Sequence, residues 1–445
     1  MASATTSIEN TASIESTPQA GQNVNVRGTT YTTIKEGLGY ILVPYGTPTS
    51  TDPKLSKEDT QRQSVFYNPI QQFNRDLSVL AIKAYGEDCV ARKKAKADKS
   101  HKRSVEKLKR KQQKSRAQDH EANENSPDGA PTKKRRTDEE GNAVAAAVAV
   151  AGATDTVHAN IPPPDSEAQV SSIDSSADTD SKAPSISFRI LDALSATGLR
   201  ALRYAQEIPF LTSVTANDMS EKATNSITLN VTHNKLGDKI TVHTGNAIAY
   251  MYSFVDKPGF DVIDLDPYGT AAPFLDAAVQ ALHDGGLLCV TCTDSAIFAS
   301  HGYLEKTYSQ YGGLPLKGEA CHEGGLRLLL HAIASSAGRY GLAIEPLLSL
   351  SIDYYIRVFV RVRKSPNDVK MLAGKTMIVY NCDSGCGSWT QQFLARHLNK
   401  SNRTGDTVYK HSFAQAPSAS QQCPHCGQKT HVRADLCPIL GLDNC

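Results

Sequence analysis

The chain has 445 residues, too many for one ordinary domain, and its 48 Lys/Arg against 46 Asp/Glu leave a net charge of only +2, which excludes a uniformly basic, nucleic-acid-coating protein. No apolar run approaches the roughly 20 residues that cross a bilayer and no signal-peptide core opens the sequence, so neither a membrane-spanning nor a secreted protein is indicated. Ten cysteines, four of them in two close pairs, suit metal ligation in a reducing compartment better than a disulfide framework.

Residues 1–30 are rich in Ser and Thr, as transit peptides are, but carry Glu9 and Glu15 and no basic residue before Arg27; they are expected to lack structure, with mitochondrial import left open. Residues 31–85 read as folded. Tyr40 to Val43 is a short apolar run, and Ile70 to Ala84 has apolar spacing compatible with a helix. Residues 86–184 read as a disordered insertion looping out of one domain. Within it, Arg92 to Arg116 holds 13 Lys/Arg against Asp98 and Glu106, a local +11, and residues 117–185 hold 13 Asp/Glu against 5 Lys/Arg, a local −8; taking both from +2 leaves −1 on the rest. The basic run is either a helix lying on RNA or a solvated charged segment. Lys133-Lys134-Arg135-Arg136 fits a nuclear-localisation cluster, so a nuclear location is expected.

From Ser187 the pattern alternates. Strands are predicted at Ser187 to Leu191, Val214 to Ala216, Ile240 to His243, Phe260 to Leu265 and Leu287 to Cys292, with helices at Leu199 to Glu207, Lys222 to His233 and Pro273 to Leu282. A helix from Gly324 to Ala337, an apolar run from Ile344 and a strand from Tyr354 to Val362 follow. This rhythm predicts an α/β fold, a doubly wound parallel sheet spanning 31–363 and interrupted at 86–184, with a smaller unit at 364–445.

In such sheets ligands sit at the carboxyl ends of the strands. The first strand ends in the small-residue turn Asp192-Ala-Leu-Ser-Ala-Thr-Gly198-Leu-Arg200. The second ends in Asn217-Asp218, 20 residues after Gly198, where a carboxylate can accept both ribose hydroxyls of a nucleoside. The third ends in Gly245-Asn246-Ala247, suited to an adenine edge. Each alone is ordinary loop punctuation; in this order they indicate an adenine nucleoside. Without the full glycine fingerprint little backbone is offered to a pyrophosphate, which favours S-adenosylmethionine over a dinucleotide and makes the predicted fold a class I, Rossmann-like S-adenosylmethionine-dependent methyltransferase.

The fourth strand runs into Asp266-Pro267-Tyr268-Gly269. An exocyclic amine is a poor nucleophile because its lone pair is delocalised into the ring. A carboxylate and a carbonyl that accept its N–H bonds draw the nitrogen towards tetrahedral geometry, and the carboxylate can then take the proton. Pro267 fixes the turn and Tyr268 offers a stacking face.

These segments resemble those of one family. Val65-Phe-Tyr-Asn-Pro-Ile-Gln-Gln-Phe-Asn-Arg-Asp76, Leu194 to Ala201, Ile263 to Gly269 and Cys292-Thr-Asp294 look like the signature stretches of the eukaryotic, fungal-like tRNA guanine-26 N2-dimethyltransferases, over roughly 30–85 and 186–430. The resemblance implies two successive methylations of N2 of guanine 26, giving N2,N2-dimethylguanosine. It implies cofactor contacts from Arg75, Arg200, Asp218, Asn246 and Ala247, alongside Asp192 at the first strand end; Asp266 as proton acceptor; Phe66 and Tyr268 near the base; and tRNA as partner. Asn246 stands where the family usually has an acidic residue, and its amide oxygen is expected to take over the adenine amino group. Methylation of another nucleic-acid base, or a catalytically impaired RNA-binding homologue, are the alternatives.

Cys382-x3-Cys386 and Cys423-x2-Cys426, 36 residues apart, have the spacing of a structural zinc held by two knuckles. Cys321-His322-Glu323 reads as polarity at a helix start. Arg357, Arg361 and Arg363 fall on one face of the last strand by period two, either against phosphate or in solvent. After His431 the sequence departs from the family and reads as a truncated tRNA-facing domain. Nothing in the sequence calls for an obligate protein partner.

Overall fold

The computed structural model describes residues 13–46, 67–124, 186–300, 302–382, 384–401, 403, 405 and 407–436. Phe66, the basic cluster 133–136 and the tail from Cys437 lie outside the described residues. The chain divides into two compact units, Met1–Lys94 with Ile186–Cys445, and Ala95–Ser185.

The first unit opens with an antiparallel sheet of β1 (Asn23–Val26), β2 (Thr29–Glu36) and β3 (Gly39–Pro44). The expectation that residues 1–30 lack structure therefore fails from Asn23 onwards, where Asn-Val-Asn-Val alternates and turns at Arg27-Gly28, both at positive φ, to pair with Thr29–Thr32. A 3-10 turn over Pro69–Gln71, capped by the Asn68 side chain, leads into α1 (Gln72–Glu124). Val79, Ile82, Tyr85 and Cys89 form its buried stripe, packed on Phe188 and Ile190. Gly86 lies in this helix because a side chain there would meet the Phe210 ring at 2.4 Å. Composition predicts this helix to end near Ala84, yet it continues through Glu124. From Glu87 onwards the continuation lacks Pro and Gly and is rich in Ala, Lys, Arg, Glu and Gln, which are good helix formers, and Arg92–Asp88 and Arg110–Glu106 pair one turn apart. The described part of the second unit is the end of this helix, and its side chains up to Lys107 are largely exposed.

Seven strands form the main sheet: β4 (Arg189–Asp192), β5 (Ser213–Asp218), β6 (Ile240–Thr244), β7 (Phe260–Leu265), β8 (Leu282–Cys292), β9 (Leu342–Ile352) and β10 (Tyr355–Lys364), in the order β6-β5-β4-β7-β8-β10-β9. Strand order reverses between β4 and β7, the switch point where a crevice opens at the carboxyl ends. On one face α2 (Leu199–Glu207) and α3 (Glu221–His233) pack with α1. On the other lie α4 (Ala247–Tyr252), α5 (Leu275–Ala281) and, after the short α6 (Ser295–Phe298) and α7 (Leu304–Tyr311), the long α8 (Cys321–Gly338). Side chains of α3 reach back to the N-terminal sheet: Asn230 Oδ1 accepts from Leu42 N at 2.8 Å and Asn234 Oδ1 from Tyr40 N at 3.0 Å.

The sheet is not wholly parallel. β10 runs antiparallel to both β8 and β9. Only Asp353 and Tyr354 separate β9 from β10, and Asp353 takes a left-handed φ of 45°; so short a link can only turn the chain back, since a parallel return needs a crossover of about a dozen residues. This hairpin tip lies at the same end of the sheet as the close of β8, because Ile356 faces Cys292.

Beyond α9 (Pro366–Lys370), β11 (Met377–Asn381) pairs with β12 (Trp389–Phe393) and β15 (His431–Leu436), while β13 (Ala395–Ser401) and β14 (Thr407–Phe413) form a separate hairpin. Met377 and Val379 of β11 enter the apolar cluster that α8 covers. Among the described residues no helix is long and apolar enough to cross a membrane.

Candidate active site at the strand carboxyl ends

Every residue of β7 is buried, and Asp266, just past its end, is the first side chain to emerge, with 25% of its surface exposed. The Asp266–Gly269 turn is tied to the end of β8 by a reciprocal pair: Gly269 N donates to Thr293 Oγ1 and Thr293 N to Gly269 O, both at 2.9 Å. Gly269 has φ +82°, a conformation that favours glycine. Tyr311 donates its hydroxyl to Asp294 at 2.8 Å and stands 2.9 Å from Thr270 Oγ1; burial raises the Asp294 pKa. Tyr268 is 76% exposed at the mouth of this arrangement.

Behind Asp266 lies a buried ionic cluster. Arg200 donates from Nη2 (2.5 Å) and Nε (3.1 Å) to one carboxylate oxygen, Asp266 Oδ2. Its Nη1 reaches Ser78 Oγ at 2.8 Å and Asp264 Oδ2 at 3.5 Å. Arg357, fully buried, pairs with Asp264 Oδ1 at 2.8 Å and donates to Ser78 Oγ at 2.9 Å and Thr291 Oγ1 at 2.7 Å. Tyr204 donates its hydroxyl to Asp264 Oδ2. Burial pushes the Asp264 carboxyl towards protonation, but Arg357 and Arg200 overcome it and hold the pKa below the ordinary carboxylate value. Arg357 is therefore neither on phosphate nor in solvent, because β10 is an interior strand covered on both faces. Arg361 pairs with Glu345 at 3.1 Å and Arg363 with Asp368 at 2.6 Å.

A second cluster commits Arg75. Its guanidinium forks onto buried Glu36 at 2.6 and 2.5 Å and donates to Asn68 O at 2.9 Å; Arg203 joins Glu36, Asp76 and Glu207. The two arginines that the resemblance assigns to the cofactor are thus both engaged with carboxylates in the structure.

The loop from Ala193 to Gly198 is held from beneath. Ser195 N donates to Asn217 O at 2.8 Å and Ala196 N, at the unusual φ of 50°, to Asp218 Oδ2 at 3.0 Å. Asp218 is half-buried, and its Oδ1 also accepts Ser220 N at 2.8 Å. Asn246 is exposed and caps α4, its oxygen accepting from Ile248 N (2.8 Å) and Ala249 N (3.2 Å). The amide oxygen expected to meet an adenine amino group is committed to the cap, and the NH2, a donor, is what the side chain has left for a ligand. Ala247 beside it is buried.

Asp192 is buried at the end of β4 and accepts Ser195 Oγ at 2.6 Å. Burial first, then the nearby Asp264 charge, pushes its pKa up to about 7 from 3.8, against the opposing effects of Ser195 and Arg200. A raised carboxyl pKa means the folded chain holds a proton that the unfolded chain has lost, so this residue costs stability increasingly as pH climbs from about 4 to 7. Asp192→Asn, which cannot ionise, should therefore melt progressively higher relative to the parent as pH is raised from 5 to 8. A melting difference independent of pH would refute the assignment.

The four cysteines converge. Their sulfurs all lie within 4.8 Å of one another, with Cys382–Cys426 at 3.5 Å and Cys386–Cys423 at 3.6 Å. These separations are far beyond a disulfide bond and near the roughly 3.8 Å edge of a tetrahedron with 2.3 Å metal–sulfur bonds. At Gly385 a side chain would come within 2.7 Å of Cys426 Sγ. Among the described residues this is the one group of metal-ligand type; Glu323 instead pairs with Arg327 at 2.7 Å.

Sequence patterns did not single out Ser78, Tyr204, Asp264 or Thr291 as parts of the site, nor Arg357 as the partner of Asp264. The one usable signal was a pair of charged residues in an otherwise apolar strand, Asp261 and Asp264, of which only Asp264 joins this cluster while Asp261 pairs with Lys93.

Comparison with known proteins bears on this arrangement. The family described as N2,N2-dimethylguanosine tRNA methyltransferase matches residues 46–437. The chain is 44% identical over 398 residues to the tRNA (guanine(26)-N(2))-dimethyltransferase of Schizosaccharomyces pombe, covering 89% of this chain and 61% of that protein. It is 36% identical over 409 residues to the mitochondrial tRNA (guanine(26)-N(2))-dimethyltransferase of Saccharomyces cerevisiae, covering 91% and 60%. The chain thus spans about 60% of the length of these relatives. Among solved structures, Trm1 from Pyrococcus horikoshii in complex with S-adenosyl-L-methionine superposes with a TM-score of 0.52 at 23% identity, over 81% of this chain and 69% of that one; the likeness extends to the Rossmann-like methyltransferase fold.

Proposed function

Since this chain belongs to the N2,N2-dimethylguanosine tRNA methyltransferase family, we propose that it methylates N2 of guanine 26 in tRNA twice, using S-adenosylmethionine. The observation that carries this reading is Asp266: a carboxylate emerging at the switch-point end of the sheet, with one oxygen held by Arg200 and the other available to an amino group.

The donor set fits the nucleoside part of the cofactor: Asp218 half-exposed at the ribose offset, the Asn246 amide and buried Ala247 beside the adenine position, and Asp192 under the Ala193–Gly198 loop. When bound, S-adenosylmethionine supplies a methyl group on a positively charged sulfur. Asp266 accepts an N–H of the guanine amino group and turns the nitrogen lone pair towards that methyl. A C–N bond forms, the C–S electron pair stays on sulfur, and the proton passes to Asp266. Tyr268 stacks on the base, and Phe66, in the Val65–Asp76 signature, is assigned to the same pocket.

Cys382, Cys386, Cys423 and Cys426 would hold one structural zinc, whose four thiolates leave no position for chemistry. Purified chain should carry one zinc, and Cys423→Ser should lose it and destabilise the β11–β12–β15 sheet; a metal-free wild type of equal thermal stability would remove the assignment. Residues from 364 onwards are proposed to face tRNA, and the 133–136 cluster to direct the chain to the nucleus, although one relative is a mitochondrial form.

Labelled-methyl transfer to unmodified tRNA, followed by nucleoside analysis, tests the whole reading. Dimethylguanosine at position 26 is the expected product. Label on another base, or cofactor binding with no transfer, would refute it.

A further inference from the structure

We propose that Arg200 is a positioning residue for Asp266, locked by Ser78 and Arg357, and that this lock decides whether the product is mono- or dimethylated. The inference rests on the methyltransferase reading above.

Both recorded hydrogen bonds of Asp266 among the described residues come from Arg200 and converge on one oxygen, Oδ2. A carboxylate gripped at one oxygen by two N–H groups of a planar guanidinium cannot rotate freely, and it presents its second oxygen, Oδ1, in one direction. Arg200 is fixed in turn. Its remaining terminal nitrogen is held by Ser78 Oγ at 2.8 Å and faces Asp264. Ser78, fully buried, also accepts Arg357 Nη2 at 2.9 Å and donates its own proton to Asn74 O at 2.7 Å. One hydroxyl therefore sits between two guanidinium groups, and two carboxylates, Asp264, which also accepts from Tyr204, and Asp266, balance their charge. The chain of contacts Asn74, Ser78, Arg200, Asp266 runs from α1 through α2 to the reacting carboxylate.

Two transfers make unequal demands on this carboxylate. The unmodified amino group has two N–H bonds, and either can meet Oδ1. After the first methyl arrives a single N–H remains, and it must point at Oδ1 while the lone pair faces the next sulfonium and the first methyl is accommodated elsewhere. In each transfer the C–N bond forms as the C–S bond breaks onto sulfur, and the N–H proton goes to Asp266. A carboxylate free to rotate still meets the first substrate in many orientations but the second in few. Misplacement by about 1 Å can cost up to ~100-fold in rate, so loosening the lock penalises the second transfer more.

Arg200→Lys keeps the charge and loses the two-point grip; Ser78→Ala keeps Arg200 and removes its support. In single-turnover and steady-state transfer to tRNA, both should raise the monomethyl-to-dimethyl product ratio about five-fold or more, and Ser78→Ala, which leaves every residue assigned to the cofactor in place, should keep the cofactor dissociation constant within about two-fold of wild type. An unchanged ratio in either folded variant overturns the proposal, as does a cofactor affinity lost in Arg200→Lys with the ratio intact, which would make Arg200 a cofactor ligand. Should Arg200→Lys fail to fold by thermal melting, Ser78→Ala decides alone. Failure of the wild type to methylate guanine at all would instead strike the underlying reading.

Discussion

Asp266→Ala should abolish methyl transfer while leaving cofactor affinity within several-fold of wild type. The carboxylate has two tasks, orienting the amino nitrogen and accepting its proton, and general-base groups contribute about 10²–10⁴-fold; a loss of at least 10³-fold is expected because both tasks vanish together. The fold should tolerate the change. Asp266 is part-exposed, and Arg200 keeps Ser78 and Asp264 as partners once Asp266 has gone. Isothermal titration with the cofactor and labelled-methyl transfer to tRNA separate the effects. Turnover within ten-fold of wild type would remove Asp266 from the chemistry.

Arg357→Leu should be the most destabilising single change in the sheet. Arg357 and Asp264 are both wholly excluded from solvent and 2.8 Å apart. Removing one member of such a pair leaves an uncompensated buried charge and typically costs about 3–5 kcal/mol. Arg200 lies 3.5 Å from the other Asp264 oxygen, so the loss is softened but not cancelled. Asp264 is then expected to take up a proton more readily. Because its folded pKa is now depressed, its contribution is present above the ordinary carboxylate range and is lost as pH falls through the depressed value; in Arg357→Leu that acid-sensitive contribution should shrink. Melting temperatures of both chains between pH 4 and 8 provide the check, and an unaltered melting temperature at pH 7 would refute it.

Local patterns carried much of the fold. The helix Leu199–Glu207 and the strand Phe260–Leu265 fall where apolar periodicity puts them, because each is short, strongly patterned and bounded by turn residues. The two cysteine pairs were visible for the same reason: a knuckle is a local spacing. What escaped was set by distant partners. That β10 turns back on β9 depends on a two-residue link whose direction composition does not encode. Arg357 reads as a surface residue on any alternating strand, and only its placement between β8 and β9 makes it a core cation. Ser78 carries no chemical signature at all; its weight comes from two arginines, 122 and 279 residues away in sequence. At Asn246 the side chain type was legible but its commitment to the helix cap was not.

The bonds from α3 to the N-terminal sheet bear on the order in which the molecule is made. Leu42 waits for Asn230 and Tyr40 for Asn234, partners 188 and 194 residues downstream. At a synthesis rate of about 5–20 residues per second, the first three strands leave the ribosome some ten to forty seconds before the helix that completes them. Through that interval Ile41 and Leu42, wholly buried in the finished protein, have no permanent cover, which makes the nascent N-terminus a natural client for chaperones.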